Sequence, residues 1–472
     1  MTTGTGDELD LLGLDETHAR LVYGELSSAE LLARCTARIA AHDGHLGAVI
    51  ALDPTAPQQA AAADRRHAAG ADHGPLDGIP VLVKDCIDTA GLATTCGSRL
   101  LARGPAPARD AEVVARLRAG GAVILGKANL SEWSNFRSAR ATEGWSAAGG
   151  QAWNPYRPGY SPWGSSAGSA VAVAAGLAPL ALGAETDGSI VGPAGVCGVV
   201  GLKPEAGLVP LRGVAGITAL DCVGPLASSV ADAAVCAAVL AGQPGLAGLR
   251  PPVARARLGA WLPPGTPAAV ASVLAALSGP GLTLADADLE VPEEAAADGM
   301  FAMLSEFRPR IEEYLRERGH AGLATLADII AGNAADPQEL ALFGQDLLEK
   351  AAAMPARPER AARAARERSR AQAREVLADA LDRHGVQAIV APSAGPAWPV
   401  DYARGDAGRL ASSTLAALAG YPSISVPAGL AGGLPVGVSV FGPPTLARLL
   451  PLALLVERAC GPRPWPPLAA GE

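Results

Sequence analysis

The spacing of hydrophobic positions changes period several times along this chain, and each change marks an element. Between residues 14 and 40, Leu14, Val22, Leu26, Leu31, Leu32 and Ile39 recur at roughly helical spacing, and Ser27-Ser28-Ala29-Glu30 offers a cap inside the run. Two helices are therefore predicted rather than one. Ile79-Pro80-Val81-Leu82-Val83 is an unbroken apolar run, the mark of a strand covered on both faces, and it ends in the charged pair Lys84-Asp85. Asp110 to Arg118 reads as helix and Ala122 to Leu125 as strand. Ser165 to Leu177 is a helix of small residues, and Leu180-Ala181-Leu182 is a strand feeding the polar turn Gly183 to Ser189. That turn is too elaborate for a plain connection, which points to a binding role.

From about 245 to 385 the pattern shifts to Ala, Glu, Arg and Leu at helical spacing, with no obvious strand after about Ala285, so a mainly helical insert is predicted. Strand runs return at Ala388 to Pro392, Ser423 to Val426 and Gly437 to Val440, where the chain is expected to rejoin the first sheet. Strands alternating with helices predict an α/β fold, with one large domain over 1–472 and a central mixed sheet flanked by helices.

Composition narrows the function classes. With 49% hydrophobic and 18% charged residues the chain is too apolar for disorder, yet no run approaches ~20 uninterrupted apolar residues, so no membrane span is predicted. The opening Met1 to Glu8 lacks the basic and apolar regions of a secretory signal, and a cytoplasmic protein is expected. A net charge of −9 argues against a nucleic-acid partner. The seven cysteines are scattered, without Cys-x-x-Cys or a neighbouring histidine pair; reduced thiols and no metal are expected. Arg357, Arg360, Arg363 and Arg366 fall three apart, but interleaved glutamates make them a solvated face.

Only four of the 38 basic residues are lysine, at 84, 127, 203 and 350. A lysine kept in an arginine-rich chain is a candidate for what guanidinium cannot do, which is to lose its proton and act as a base. Two serine-centred chemistries compete around it. Gly164-Ser165-Ser166-Ala167-Gly168 fits the Gly-x-Ser-x-Gly elbow, which would make Ser166 a nucleophile, but only His320 and His384 follow it. The other pairs a lysine base with serines: Lys84 at a strand end, a serine pair at a helix start, and Ser189 in a turn whose backbone N–H groups suit an anion. No Ser-x-x-Lys occurs.

Gly164 to Ser169, Glu185-Thr186-Asp187-Gly188-Ser189-Ile190 and Gly198 to Pro204 together resemble the amidase signature family. Gly78 to Asp85 resembles that family's lysine segment, and Gly126 to Trp133 its next helix; Ser165 precedes Ser189 by 24 positions, as in the family pattern. The resemblance implies Ser189 as nucleophile, Ser165 as relay serine after a cis peptide from Gly164, and Lys84 as base. Backbone N–H groups of Thr186, Asp187, Gly188 and Ser189 would form the oxyanion hole, with no metal and no organic cofactor. Ser166 and Asn129 are expected in the supporting shell or pocket, and Trp163, where the family usually has a small residue, is expected to narrow the pocket. Cys86 follows Lys84-Asp85 where asparagine is common in the family.

Glu185, Asp187 and Val191 depart from the commonest form of the motif and bring it closest to the peptide amidases, which remove the C-terminal carboxamide of peptides. The expected activity is hydrolysis of linear amides, with a small-molecule or peptide amide as substrate and a monomer or homodimer as assembly. A general aliphatic or aryl amidase is an alternative with the same residues. The amidase component of an aminoacyl-tRNA amidotransferase is another, and the acidic charge and the form of the turn argue against it. A catalytically dead binding module is disfavoured because all three catalytic positions are occupied.

Overall fold

The structure, a computed structural model, describes residues 12–250, 255–277, 279, 281–320, 322–355, 359–406 and 410–468; Met1 to Glu8 and Arg357 lie outside them. Its centre is an 11-stranded mixed sheet. In chain order its first strands are β1 (Val49–Leu52), β2 (Pro80–Lys84) and β3 (Val123–Ala128). A two-stranded hairpin, β4 (Trp145–Ser146) and β5 (Gly150–Gln151), stands apart from the sheet. The sheet continues with β6 (Leu180–Glu185), β7 (Val200–Lys203), β8 (Cys222–Ala227), β9 (Ala256–Trp261), β10 (Leu282–Ala287), β11 (Ile389–Pro392), β12 (Ser423–Ala431) and β13 (Leu434–Phe441). The spatial order is β1-β3-β2-β6-β8-β7-β12-β13-β11-β9-β10, so the C-terminal strands complete the sheet begun by β2, as the hydrophobic runs predict.

Side chains alternate across each central strand and feed two cores. Val81, Val83, Leu180 and Leu182 enter the larger cluster, while Leu82, Ala181, Val123 and Leu125 face the other way, onto the small-residue helix Ala167–Ala174. Every residue of that helix is buried. Its closeness to the sheet requires Gly168, because a Cβ there would come within 2.6 Å of the Asn129 backbone nitrogen and oxygen.

The N-terminal helical pattern does divide at its internal cap. Ser27 Oγ accepts from Glu30 N at 3.1 Å while Ser27 N donates to Glu30 Oε2 at 2.8 Å, separating the helices Leu14–Val22 and Ser28–Leu46. Two expectations change. Gly126 to Ala128 belong to β3, and a single 3-10 turn at Glu132–Asn135 follows, so no helix runs through Gly126 to Trp133. The region 245–385 is helical for most of its length, with long helices at Glu293–Arg318 and Glu359–His384, but it also supplies β9 and β10, a parallel pair at the sheet edge. Among the described residues no helix is long and apolar enough to cross a membrane.

Candidate active site

Parallel pairing places chemistry at one end of the sheet. β3, β2 and β6 run side by side in the same direction, with Lys84 opposite Ala128 and Val83 opposite Leu182, so their carboxyl ends converge. Lys84 ends β2 with no exposed surface. Its Nζ donates to Ser165 Oγ at 2.7 Å and to the Ala184 carbonyl at 2.9 Å. Burial lowers the ammonium pKa below that of an ordinary lysine, opposed by the Cys86 thiol and the Glu143, Asp221 and Glu185 carboxyls.

The serine pair sits where the small-residue helix begins. The Gly164–Ser165 peptide is cis. Ser165 carbonyl oxygen accepts from Ser131 N at 3.0 Å, and Ser166 N donates to the Ser189 carbonyl at 3.1 Å, which ties the pair to the turn beyond β6. Ser166 Oγ donates to Ala184 O and accepts from Ala184 N, both at 3.2 Å. Its hydroxyl is thus committed to the end of β6. The two downstream histidines lie elsewhere: His384 pairs with Asp288 at 3.1 Å, and His320 packs beside Gly104.

The turn after β6 is held from several sides while its own donors stay open. Glu185, 2% exposed, accepts from Ile190 N at 2.6 Å and Val191 N at 3.0 Å, capping the helix Val191–Cys197. Thr186 Oγ1 donates to Asp221 Oδ1 at 2.8 Å, and Asp187 accepts from Ser413 and from Thr414 Oγ1 at 2.9 Å. Gly188 has φ +80°, a conformation that glycine adopts without cost and that turns the chain back toward Ser166. Among the described residues, nothing accepts from the backbone N–H groups of Thr186, Asp187, Gly188 or Ser189, and nothing bonds to the Ser189 hydroxyl. Successive unpaired N–H groups form an anion-binding nest.

Asn129 is fully buried and fully engaged. Its Nδ2 donates to the Gly47, Gly149 and Gly150 carbonyls at 3.0, 3.3 and 3.3 Å, and its Oδ1 accepts from Leu130 N and Ser146 Oγ at 2.9 Å. It holds the β4–β5 hairpin against the end of β3. Trp163 is 8% exposed, and its indole packs edge to face on Trp398 at 5.2 Å and against Gly192. Lys127 and Lys203 are also fully buried: Lys127 pairs with Asp85 at 3.3 Å, and Lys203 donates to the Tyr421 carbonyl at 2.8 Å. Cys86 and Cys197 are buried thiols with pKa values pushed up by burial, as packing residues are.

Three participants carry no motif that sequence reasoning could have caught. Asp221 holds Thr186 in place, and its other oxygen accepts from Ile217 N. Glu143 accepts from Ser131 Oγ at 2.6 Å and Asn135 Nδ2 at 2.9 Å and lies against Gly164. Burial pushes its carboxyl up to about 7, with Asp406 adding to the rise while the Ser131 hydrogen bond and Lys84 oppose it. Arg366, read as part of a solvated face, instead pairs with Glu306 and lines a small cleft beside Thr186 and Asp187. Gly299, Ala302 and Met303 from the other long helix form the facing wall. The helical region therefore borders the turn. Among the described residues, the one close group of three potential metal ligands lies away from the turn, at His18, His67 and Asp72.

The family model described as Amidase matches residues 30–446. The native peptide amidase from Stenotrophomonas maltophilia is 40% identical, with a TM-score of 0.89 over 97% of this chain and 99% of that one. A peptide amidase in complex with the competitive inhibitor chymostatin is likewise 40% identical, with a TM-score of 0.87 over 96% of this chain and 99% of that one. A glutamyl-tRNA(Gln) amidotransferase subunit from Anaeromyxobacter dehalogenans is 35% identical over 511 residues, covering 98% of each sequence.

Proposed function

The chain belongs to the amidase family and acts on the C–N bond of linear amides, and from that premise we propose that Ser189 is its nucleophile, Ser165 its proton relay and Lys84 its base, with primary carboxamides of peptides or peptide-like molecules as substrates. The observation that carries this reading is the sealed contact of Lys84 Nζ with Ser165 Oγ at 2.7 Å, next to a turn of unpaired N–H groups.

Neutral Lys84 takes a proton from Ser165 Oγ, which takes one from Ser189 Oγ as that oxygen attacks the amide carbon. The N–H groups of Thr186, Asp187, Gly188 and Ser189 donate to the oxyanion, a preorganised arrangement that needs no reorganisation as charge develops. Collapse of the tetrahedral intermediate breaks the C–N bond. The proton held by Lys84 returns through Ser165 to the departing nitrogen, and ammonia leaves an ester on Ser189. Water attacks that ester with the same lysine and serine as base, releasing the carboxylic acid and restoring Ser189. Ser166 and Asn129 hold the end of β6 and of β3 in register, and Trp163 limits the leaving-group side next to Ser165.

The preference for a peptide-like acyl group is supported by the similarity to peptide amidases, one of them bound to a competitive inhibitor. We read 1–472 as one amidase domain, with about 245–385 as its variable part. A panel of primary, secondary and aryl amides scored for ammonia or amine release by the isolated chain tests the substrate. Preferred cleavage of peptide C-terminal carboxamides supports the reading; preference for simple aliphatic or aryl amides supports the general amidase instead. The similarity to the tRNA-dependent amidotransferases favours a second reading, in which amide turnover depends on partner proteins. Copurification of such partners, together with an inactive isolated chain, would establish it.

A further inference from the structure

At the opposite end of β2 from Lys84, two imidazoles and a carboxylate meet. His18 lies on the helix Leu14–Val22, His67 in the last turn of the helix Ala56–Ala68, and Asp72 in the loop that follows. His18 Nε2 is 3.0 Å and His67 Nε2 3.8 Å from the same Asp72 Oδ1, and one ligand atom from each residue lies within 4.8 Å of the others. The two rings stand edge to face with centroids 6.2 Å apart.

His67 is the informative member. Its side chain is 5% exposed, and among the described residues neither ring nitrogen has a hydrogen-bond partner. Asp77 Oδ2, 3.7 Å from Nε2, already accepts from Arg66 Nε and His73 N, both at 3.0 Å. An imidazole removed from water with both nitrogens unpaired is costly to leave so, and its Nε2 faces the shared carboxylate. Ligand atoms around a tetrahedral ion with bonds of 2.0–2.1 Å stand about 3.3 Å apart, between the 3.0 and 3.8 Å found here. Two imidazole nitrogens and one carboxylate suit zinc and its neighbours rather than magnesium or calcium, which take oxygen ligands. The His18 and Asp72 side chains are 18% and 33% exposed, which leaves access for the ion and room for water as a fourth ligand.

We propose that His18, His67 and Asp72 bind one first-row divalent transition-metal ion, Zn²⁺ or a neighbour of it, which pins the first helix to the connection leading into β2. The ion is structural. His67 Cε1 abuts Gly78, and from Gly78 to Lys84 the chain rises about 20 Å along the strand direction. His18 stands 49 positions before His67, and His67 and Asp72, five apart, form no recognised metal-binding spacing, which is why the pattern of residues predicts no metal.

The test uses the full chain stripped with a chelator and dialysed, then titrated with ZnCl₂ in a calorimeter. Wild type should bind one Zn²⁺ per chain and melt at a higher temperature with Zn²⁺ than without, and MgCl₂ should do neither. His18→Gln and Asp72→Asn, both at partly exposed positions, should fold and bind Zn²⁺ more than about tenfold more weakly. Amide hydrolysis should be equal in the stripped and zinc-loaded wild type. Absence of saturable binding by wild type, or unchanged binding in His18→Gln, would overturn the proposal, and water would then be the partner of His67.

Discussion

Lys84 Nζ lies 2.7 Å from Ser165 Oγ, and neither residue has any exposed surface. An ammonium held there loses the hydration that favours its charged form, so the neutral amine is reached at a lower pH than for an ordinary lysine. If neutral Lys84 is the base, kcat/KM should rise with pH through the lowered lysine pKa and then level off. Lys84→Ala should lose about 10² to 10⁴ in rate and lack the rising limb. A pH–rate profile of each protein checks this, and a Lys84→Ala profile with wild-type height and shape would exclude the lysine as base.

The two adjacent serines should separate cleanly. If Ser165 relays the proton between Ser189 and Lys84, Ser165→Ala should cost about 10² to 10⁴ in kcat with little change in melting temperature. Ser166→Ala leaves the half-buried Ala184 N–H without its acceptor and should cost about 1 kcal/mol of stability, with a smaller loss of rate. Kinetics and thermal melts on both variants decide it. A more damaging Ser166→Ala in the rate assay would favour the elbow chemistry.

Trp163→Gly tests whether the indole limits the leaving-group side. The indole is packed on Trp398 and Gly192, so its removal should destabilise the fold by about 3–5 kcal/mol, the range for truncating a buried tryptophan. The surviving enzyme should gain rate on anilides relative to matched primary amides, since space opens one residue before the Gly164–Ser165 peptide. Rates on paired substrates at a temperature where the variant stays folded measure the ratio, and an unchanged ratio would confine Trp163 to packing.

Stability should also depend on Glu457, on the helix Leu446–Cys460, whose carboxyl accepts from Val230 N at 2.7 Å and is pushed up to about 7 by burial. A folded-state pKa above the unfolded one means that the folded protein holds a proton that the unfolded chain gives up. The resulting stabilisation is fully present below about 4.5 and is lost as pH rises to about 7. Glu457→Gln keeps an oxygen for Val230 N without ionising. Its melting temperature relative to wild type should therefore climb between pH 5 and pH 8, by the equivalent of about 2–3 kcal/mol. A difference that stays flat with pH would contradict the assignment.

The scarcity of lysine was the most legible clue to the interior. Lys84, Lys127 and Lys203 are fully buried, and only Lys350 is exposed, so the lysines kept against an arginine bias mark positions where a compact amine meets carbonyls, a carboxylate or a hydroxyl. The strands of the central sheet were equally legible, because burial on both faces leaves unbroken apolar runs such as Val81-Leu82-Val83. β9 and β10 were not: Ala256–Trp261 and Leu282–Ala287 are alanine-rich, poor in β-branched residues and partly exposed at the sheet edge, so no period separates them from helix. Glu143 and Asp221 are single carboxylates in loops, and only the chain's return past Gly164 and Thr186 brings them to the turn. Arg366 misled for the opposite reason, since its spacing with Arg360 and Arg363 describes a helix face but not the Glu306 opposite it.

In the proposed mechanism the acyl group passes through Ser189. Rapid acid quenching of wild type during turnover of a peptide carboxamide, followed by proteolysis and mass spectrometry, locates the ester directly. An acyl adduct is expected on the peptide containing Ser189 and absent from Ser189→Ala, which should be folded and inactive. An adduct on Ser165 or Ser166, or near-normal turnover by Ser189→Ala, would contradict it.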